Sequence, residues 1–222
     1  MLDTIRRTES PRQWLLPGAD EWFRGIYTRA GVAASEVLVI CSAISGEGKT
    51  TVGVGLAVTL ATDFPDRRVL VVEADLERQV LAQDFALEPG PGLVGCLVRG
   101  ESPQAGCRPT ALPNLDILPA GASVDYPGRV LRSSRLPTLL DSLRASYDIV
   151  LVDTPALLAN SDAQLLTDLG DGVVVVVRAG VTPTHLVTRA LEQVDGTRLR
   201  GVVLNATRSS MPRWMRRLSG AA

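Results

Sequence analysis

The sequence is almost devoid of lysine. Lys49 is the only lysine among 23 basic residues in a chain of 222, and every other basic residue is an arginine. A compact ammonium and a planar guanidinium are not interchangeable where phosphates are bound, so this single lysine draws attention to its neighbours. Histidine is equally scarce. The single His185 stands at the start of a predicted helix, a position more typical of a surface residue than of a catalytic base.

A strong net charge, a long apolar run and a cysteine framework are missing as well. The net charge of −1 argues against broad electrostatic binding to nucleic acid. The longest strongly apolar stretches, such as residues 173–177, are much shorter than a membrane span, and residues 1–11 lack the apolar core of a secretory signal. The three cysteines form neither an even set nor a C-x-x-C pair. We therefore expect a cytoplasmic protein with reduced thiols, and not a secreted, transmembrane or disulfide-stapled one.

Short apolar strands alternate with helical segments along the chain. Its length suits one α/β domain, and its 45% apolar content supplies a sizeable core. The patterns predict buried strands at 37–40, 69–72, 115–118, 149–152, 173–177 and 202–204, and helices at 20–29, 49–62, 136–146, 162–169 and 184–194. This alternation predicts an α/β fold with a parallel sheet and helices on both faces. The Gly- and Pro-rich segment 88–110 predicts a long irregular insertion.

A glycine-rich turn follows the first strand. The run from Ala43 to Thr51 fits the pattern G-x-x-x-x-G-K-[ST], except that Ala43 takes the place of the first glycine. Gly46 and Gly48 allow the backbone to curl with its N–H groups pointing inward, and the helix that begins at Lys49 directs its positive end to the same place. The alternative is a glycine turn that only joins a strand to a helix. The spacing favours an ATP-binding P-loop formed by Ser45, Gly46, Glu47, Gly48, Lys49, Thr50 and Thr51.

Two other strand ends carry carboxylates. In a P-loop, Lys49 reaches the β- and γ-phosphates and the Thr50 hydroxyl ligates Mg²⁺. Asp153 follows the strand at 149–152 in the Walker B manner and is predicted to hold the metal. Glu73 and Asp75 follow the second strand and are predicted to point at the γ-phosphate. A single Asp after a strand often only forms a turn or caps a helix, but two such strand ends beside a P-loop favour a nucleotide site.

Together these motifs resemble the bacterial tyrosine kinase family, which is related to the MinD and ParA ATPases and accompanies capsule and exopolysaccharide export. Residues 45–51 are similar to its Walker A motif, and residues 71–76 stand where its second acidic motif would be. Residues 147–155 resemble its Walker B motif closely. The resemblance implies a P-loop NTPase domain over residues 36–207. An N-terminal extension with a short helix over 1–35 would precede it, and a basic C-terminal tail over 208–222 would follow.

The resemblance also implies cofactors, ligands and partners. ATP and Mg²⁺ would be the cofactors, with Thr50, Asp75 and Asp153 at the metal and Asn205 in contact with the adenine. The expected partner is the cytoplasmic segment of a membrane protein, a polysaccharide co-polymerase or chain-length regulator, which would hold the chain at the inner face of the membrane. Assembly into a homo-oligomer is implied too, and nucleic acid is not an expected partner. The basic tail suggests contact with an anionic membrane or a partner, with a solvated terminus as the alternative.

The sequence departs from the family pattern at several positions. Glu73 replaces the first Asp of the second acidic motif, and such a displacement is expected to lower activity because positioning supplies most of the rate of phosphoryl transfer. Tyr27 replaces the second Arg of an E-x-x-R-x-x-R helix motif, which argues against ring assembly. No tyrosine follows Asn205, so we expect no autophosphorylation of a tail. Ile44 stands where MinD and ParA carry a second lysine, which disfavours a partition ATPase.

Two functions remain open from the sequence. The first is an ATP–Mg²⁺-dependent protein-tyrosine kinase that acts on tyrosines of a partner or on water. Lys49 would neutralise the transferred phosphoryl group, Thr50 and Asp153 would hold Mg²⁺, and Asp75 with Glu73 would orient the nucleophile. The second is a regulator that binds ATP, changes its assembly or its grip on a membrane partner, and turns over slowly or not at all. Glu73 and the missing tail tyrosines favour the second function, and the P-loop is compatible with both.

Overall fold

The computed structural model describes residues 19–32 and 35–207. The strands in these ranges are β1 (Glu36–Ser42), β2 (Val69–Glu73), β3 (Arg108–Pro109), β4 (Leu115–Leu118), β5 (Ile149–Asp153), β6 (Gly172–Arg178) and β7 (Leu199–Asn205). The helices are α1 (Ala19–Ala30), α2 (Lys49–Asp63), α3 (Leu81–Asp84), α4 (Gly92–Val94), α5 (Pro103–Gly106), α6 (Pro127–Leu131), α7 (Arg135–Ser146), α8 (Ser161–Leu169) and α9 (Thr184–Leu191). A π-helical turn, Gly95–Arg99, continues α4.

The strands form one sheet in the order β3-β4-β2-β5-β1-β6-β7. Every neighbouring pair is parallel except β3 and β4, which are antiparallel. β1 lies between β5 and β6, and all seven of its residues are buried. This arrangement confirms the predicted α/β fold, because a strand that is apolar on both faces requires cover on both sides of the sheet.

Two apolar layers cover the two faces of the sheet. Val37 and Val39 of β1 belong to the layer that contains buried residues of α7, α8 and α9. Leu38 and Ile40 point to the opposite layer, which contains α2 and receives apolar side chains of α1. Alternate residues of one strand thus serve both layers. Each buried Val or Leu contributes roughly 1.5–3 kcal/mol relative to an exposed one.

Helix α1 packs against α2 through a polar clamp and a close ring contact. The Arg24 guanidinium donates to both carboxylate oxygens of Asp63, at 2.8 and 2.9 Å, and the Tyr27 hydroxyl donates to the same carboxylate at 3.0 Å. A Cβ at Gly55 would lie 2.1 Å from the Phe23 ring, so the helices approach closely only because this residue is glycine. The predicted helix at 20–29 is confirmed, and Arg24, which takes the first arginine position of the E-x-x-R-x-x-R pattern, is bound within the chain.

The segment 88–110 differs from its prediction as an irregular insertion. It contains α4, the π-helical turn, α5 and the short strand β3. Ser102 caps α5 by accepting a hydrogen bond from the Ala105 amide at 3.3 Å. The Arg135 guanidinium donates to the carbonyls of Leu97 and Val98 at 3.0 and 2.9 Å. The prediction was wrong because these short elements depend on contacts with distant residues, which leave no periodic pattern in the sequence.

The last strand is less buried than predicted. β7 is at the edge of the sheet, and its residues alternate between intermediate and exposed. Val202 and Leu204 are 41% and 59% exposed, so the prediction of a buried strand at 202–204 was wrong on one face. No helix among the described residues is long and apolar enough to cross a membrane. The predicted basic tail lies outside the described residues, as do residues 1–18 of the predicted N-terminal extension.

Candidate active site

The C-terminal ends of three neighbouring strands bring the candidate residues together. In the register of the sheet, Asp153 of β5 lies beside Ile40 of β1 on one side and Glu73 of β2 on the other. The glycine-rich turn leaves β1 at this same edge and leads into α2. In an open α/β sheet, ligands bind outside this edge of the strands. The structure therefore places the P-loop and both acidic strand ends around one site.

The glycine-rich turn has the backbone conformation of an anion cradle. Gly46 and Gly48 have φ values of 84° and 90°, in the left-handed region that side chains disfavour. In the described part of the chain, their amides donate no hydrogen bond. Helix α2 begins directly after Gly48 and has no acidic residue in its first turn. Free amides and an uncompensated helix N-terminus both favour a bound phosphate.

Glu47 turns its carboxylate away from this cradle. One oxygen accepts from the Ile44 amide at 2.7 Å, and the other accepts from the Arg178 amide at 3.1 Å and the Thr182 hydroxyl at 2.5 Å. The residue is only 2% exposed. Glu47 therefore ties the P-loop to the end of β6 and to the turn that follows it, and its carboxylate is not available to a nucleotide. The sequence motif gave no sign of the contacts with Arg178 and Thr182, which come from a distant part of the chain.

Lys49 and Asp75 form a buried ion pair. The Lys49 ammonium is 2.8 Å from a carboxylate oxygen of Asp75, and the two side chains are 8% and 6% exposed. The other oxygen of Asp75 accepts from the Arg78 amide at 3.3 Å, which fixes the carboxylate at the turn after β2. A buried charge is tolerated only when it is paired, so each residue of the pair compensates the charge of the other.

Thr50 and Asp153 present oxygens of the kind that Mg²⁺ prefers. The Thr50 hydroxyl donates to Oδ2 of Asp153 at 2.6 Å. Within the described residues, Oδ1 of Asp153 is buried and has no hydrogen-bond partner. Burial raises the pKa of Asp153 to about 7, although Lys49 and the Thr50 hydroxyl act in the opposite direction. An unsatisfied carboxylate oxygen at the end of β5, beside the hydroxyl of the P-loop residue Thr50, fits a hydrated magnesium ion.

Glu73 does not share the role predicted for it. Oε1 accepts from the amides of Val80 and Leu81 at 2.6 and 2.7 Å, and Oε2 accepts from the Ala120 amide at 2.9 Å. Both oxygens are thus committed to backbone groups, and the residue is 1% exposed. The prediction that Glu73 points at the γ-phosphate and orients the nucleophile with Asp75 was wrong. Its carboxylate joins the segment after Asp75 to the loop after β4.

The other predicted residues lie around the cradle. The Asn205 side-chain amide donates to the Glu47 carbonyl at 2.8 Å, and a Cβ at Gly48 would lie 2.2 Å from that same nitrogen. Asn205 is therefore part of the P-loop wall, and its contact with adenine stays a prediction. Ser45 and Thr51 are exposed at the ends of the loop. His185 is exposed on α9, as the sequence indicated.

Comparisons with known proteins agree with this geometry. A family model described as an AAA domain, AAA_31, matches residues 35–200. The tyrosine-protein kinase YwqD of Bacillus subtilis is 33% identical over 175 residues, which cover 78% of this chain and 73% of YwqD. The chain belongs to the bacterial tyrosine kinase family. Its P-loop, Walker B strand end and sheet order are thus those of a P-loop NTPase of this family.

Two further relatives define the extent of the match. The succinoglycan biosynthesis transport protein ExoP of Rhizobium meliloti is 34% identical over 178 residues, 78% of this chain but only 22% of ExoP. The solved BceF tyrosine kinase domain is 29% identical, with a TM-score of 0.76 over 89% of this chain and 82% of that domain. The chain therefore matches most of a solved kinase domain but less than a quarter of ExoP.

Proposed function

We propose that this chain is an ATP–Mg²⁺-dependent protein-tyrosine kinase that regulates capsule or exopolysaccharide synthesis or export. The observation that carries the proposal is the position of Lys49. Its ammonium lies at the start of α2, behind a glycine cradle, and is paired at 2.8 Å with Asp75. The amides of the cradle and the helix N-terminus would bind the phosphates of ATP, and Lys49 would bind the oxygens of the group to be transferred.

The ion pair also supplies a general base for the reaction. When Lys49 binds a phosphate oxygen, it shares its charge with that phosphate, and its hydrogen bond to Asp75 weakens, which frees a carboxylate oxygen of Asp75. Asp75 is then placed to accept the proton of an attacking tyrosine hydroxyl. Thr50 and Asp153 would hold Mg²⁺, which neutralises charge on the terminal phosphates when bound. Phosphoryl transfer passes through a loose transition state, so this positioning accounts for most of the catalysis.

A second candidate function is a nucleotide-switched regulator with slow turnover. The orientation of Glu73 favours it, because Glu73 gives both oxygens to backbone amides and leaves Asp75 as the member of this acidic pair that faces Lys49. With one carboxylate in place of two, orientation of the nucleophile is weaker. In this case nucleotide binding would change the grip of the chain on a membrane partner, and transfer to tyrosine would be absent.

We further propose a setting for this activity. The chain would act in the cytoplasm, held at the inner face of the membrane by the cytoplasmic segment of a polysaccharide co-polymerase, and would assemble with copies of itself. The similarity to ExoP, a succinoglycan biosynthesis transport protein, supports a link to polysaccharide export. The catalytic unit would comprise residues 36–207 together with α1, which packs on α2. Co-purification with candidate membrane proteins from adjacent genes tests this setting.

Transfer of label from ATP distinguishes the two functions. The purified chain is incubated with γ-labelled ATP, Mg²⁺ and a Glu–Tyr copolymer, alone and with the cytoplasmic segment of a candidate partner. Lys49→Met removes the ammonium, and Arg67→Met, which removes a charge that stacks on Phe64 away from the cradle, serves as the matched control. Label on tyrosine that disappears only in Lys49→Met supports the kinase. Free phosphate without labelled tyrosine supports the regulator. If neither labelled tyrosine nor free phosphate forms, both functions are contradicted.

A further inference from the structure

The ends of β6 and β7 lie beside the P-loop. The Arg178 amide, at the end of β6, donates to Oε1 of Glu47 at 3.1 Å. The Asn205 side chain, at the end of β7, donates to the Glu47 carbonyl at 2.8 Å. Arg178 and Asn205 are also partners in the register of the sheet. Since Glu47 stands between the two glycines of the cradle, both strand ends are held next to the amides that we assign to the phosphates.

The sheet order indicates where the rest of a bound nucleotide would lie. Asp75 and Asp153, which we assign to the terminal phosphate and its metal, lie at the ends of β2 and β5, on one side of β1. Strands β6 and β7 lie on the other side of β1, and neighbouring strands are about 4.8 Å apart. A nucleotide whose terminal phosphates meet Lys49 would therefore extend its ribose and base toward the ends of β6 and β7.

The Arg178 side chain is available to a ligand on this side of the cradle. Within residues 19–32 and 35–207, its guanidinium has no hydrogen bond, ion pair or ring contact. It is exposed, whereas the six residues before it in β6 are buried. Val174 and Val176 of the same strand belong to the layer that contains α2. Because side chains of a strand alternate between its faces, Arg178 points to the face on which α2 follows the P-loop.

The turn after β6 exposes an apolar side chain close to this guanidinium. The Val181 amide donates to the Arg178 carbonyl at 3.2 Å, and Gly180 has a φ of 69°, as in a β-turn with glycine at its third position. Val181 is 61% exposed. The Arg178 amide and the Thr182 hydroxyl both donate to Glu47, so the two ends of the turn are anchored to the P-loop. An anchored turn with a guanidinium and an exposed apolar side chain suits a flat aromatic ligand.

We propose that Arg178 stacks its guanidinium on the face of the nucleotide base, an inference that rests on the proposed binding of ATP at the P-loop. A planar guanidinium stacks on an aromatic ring, and a lysine ammonium has no plane with which to do so. Val181 adds an apolar contact from the same turn. The Asn205 side chain donates to Glu47 and accepts from the Ala206 amide at 2.8 Å, so one N–H remains for the edge of the base.

Titration calorimetry of the full chain with ATP and with inorganic tripolyphosphate, each with Mg²⁺, tests this assignment because tripolyphosphate has no base. Arg178→Ala should raise the Kd for ATP by about 3- to 10-fold and leave the Kd for tripolyphosphate unchanged. Arg178→Lys, which keeps the charge but lacks the plane, should raise the Kd for ATP by a similar factor. Arg189→Ala, which removes an exposed arginine of α9, is the matched control and should bind both ligands as wild type does.

Several results would overturn the base contact and leave the proposed function in place. If Arg178→Ala or Arg178→Lys binds ATP as tightly as wild type, the guanidinium does not stack on the base. If the Kd for tripolyphosphate rises as much as the Kd for ATP, Arg178 acts on the phosphates. An equal rise in Arg189→Ala would show a general effect of charge. A wild-type chain that binds neither ligand would overturn the proposed function together with the base contact.

Discussion

The Lys49 ammonium lies 2.8 Å from a carboxylate oxygen of Asp75, and both side chains are almost fully buried. Each group compensates the charge of the other in a setting where an isolated charge is strongly disfavoured. The pair joins the first turn of α2 to the turn after β2, so the same contact that stabilises the fold also holds the proposed phosphate-binding lysine and the candidate base together.

Loss of Lys49 should therefore affect stability as well as binding. We expect Lys49→Met to lower the free energy of unfolding by about 3–5 kcal/mol, because it leaves the buried Asp75 carboxylate unpaired. In the double variant Lys49→Met/Asp75→Asn, much of this stability should return while nucleotide binding stays absent. Urea unfolding and titration calorimetry measure the two quantities. A double variant as unstable as Lys49→Met would contradict the pairing argument.

Glu73→Asp should lower the free energy of unfolding of the protein and should not raise kcat. The shorter side chain cannot reach the amides of Val80, Leu81 and Ala120 together, so buried N–H groups lose their acceptor. We expect a loss of about 1–3 kcal/mol in the free energy of unfolding and a lower kcat. Glu77→Asp, at an exposed position nearby, is the matched control. A rise in kcat for Glu73→Asp would revive the view that this carboxylate belongs to the reaction.

Asp153 should make the stability of the metal-free protein depend on pH. Its folded pKa of about 7 lies above the ordinary aspartate pKa of 3.8, so the folded chain holds an extra proton between these values. Stability contributed by the protonated form is therefore lost as pH rises through about 7. In EDTA at pH 8, we expect Asp153→Asn to be more stable than wild type by about 2–4 kcal/mol, since it removes a buried charge.

Thermal melts in EDTA between pH 5 and pH 8 measure this effect. Each kcal/mol corresponds to about 2–4 °C in a domain of this size. The difference in Tm between Asp153→Asn and wild type should shrink toward pH 5, where the wild-type carboxyl is protonated. Thr154→Val, beside it in the chain, controls for a local change in packing. A difference that is constant across this range would show that the ionisation of Asp153 is not its cause.

Thr182→Val should weaken nucleotide binding without touching the P-loop itself. The Thr182 hydroxyl donates to Glu47 at 2.5 Å and helps to hold the loop against β6. Its removal leaves a buried carboxylate oxygen with one donor fewer, so the loop samples other conformations more often. We expect about a 3- to 10-fold rise in the Kd for ATP, equivalent to about 1 kcal/mol. Thr184→Val, which is exposed at the start of α9, should bind as wild type does.

Much of the fold could be predicted from the sequence because its strands are short apolar runs. The central strand β1 is buried on both faces, and such a strand can be recognised in the sequence as a short, continuous apolar run. The sequence of an edge strand says less about which of its residues are buried. Val202 and Leu204 are apolar yet exposed, since apolarity alone does not tell which face of an edge strand is covered. The helices within 88–110 depend on Arg135 and on other distant partners, so no local sequence pattern predicts them.

The candidate site was predictable in its position and less so in its orientation. Lys49, Thr50, Asp75 and Asp153 meet because parallel strands end at one edge. The direction of each carboxylate depends on which backbone amides lie within reach, and this is a tertiary property. Glu47 and Glu73 both turn toward such amides and away from the cradle. A carboxylate in a motif therefore gives the charge of a site, but its side-chain length and neighbours decide what it binds.

Titration calorimetry of the wild-type chain with ATP, ADP and AMP in the presence of Mg²⁺ tests the central claim most directly. The account assigns Lys49 and the amides of the cradle to the terminal phosphates, so ATP and ADP should release heat on binding while AMP binds at least about 100-fold more weakly. Lys49→Met should abolish the difference. Equal binding of all three nucleotides, or no heat from any of them, would contradict the assignment of this lysine and its loop to phosphate binding.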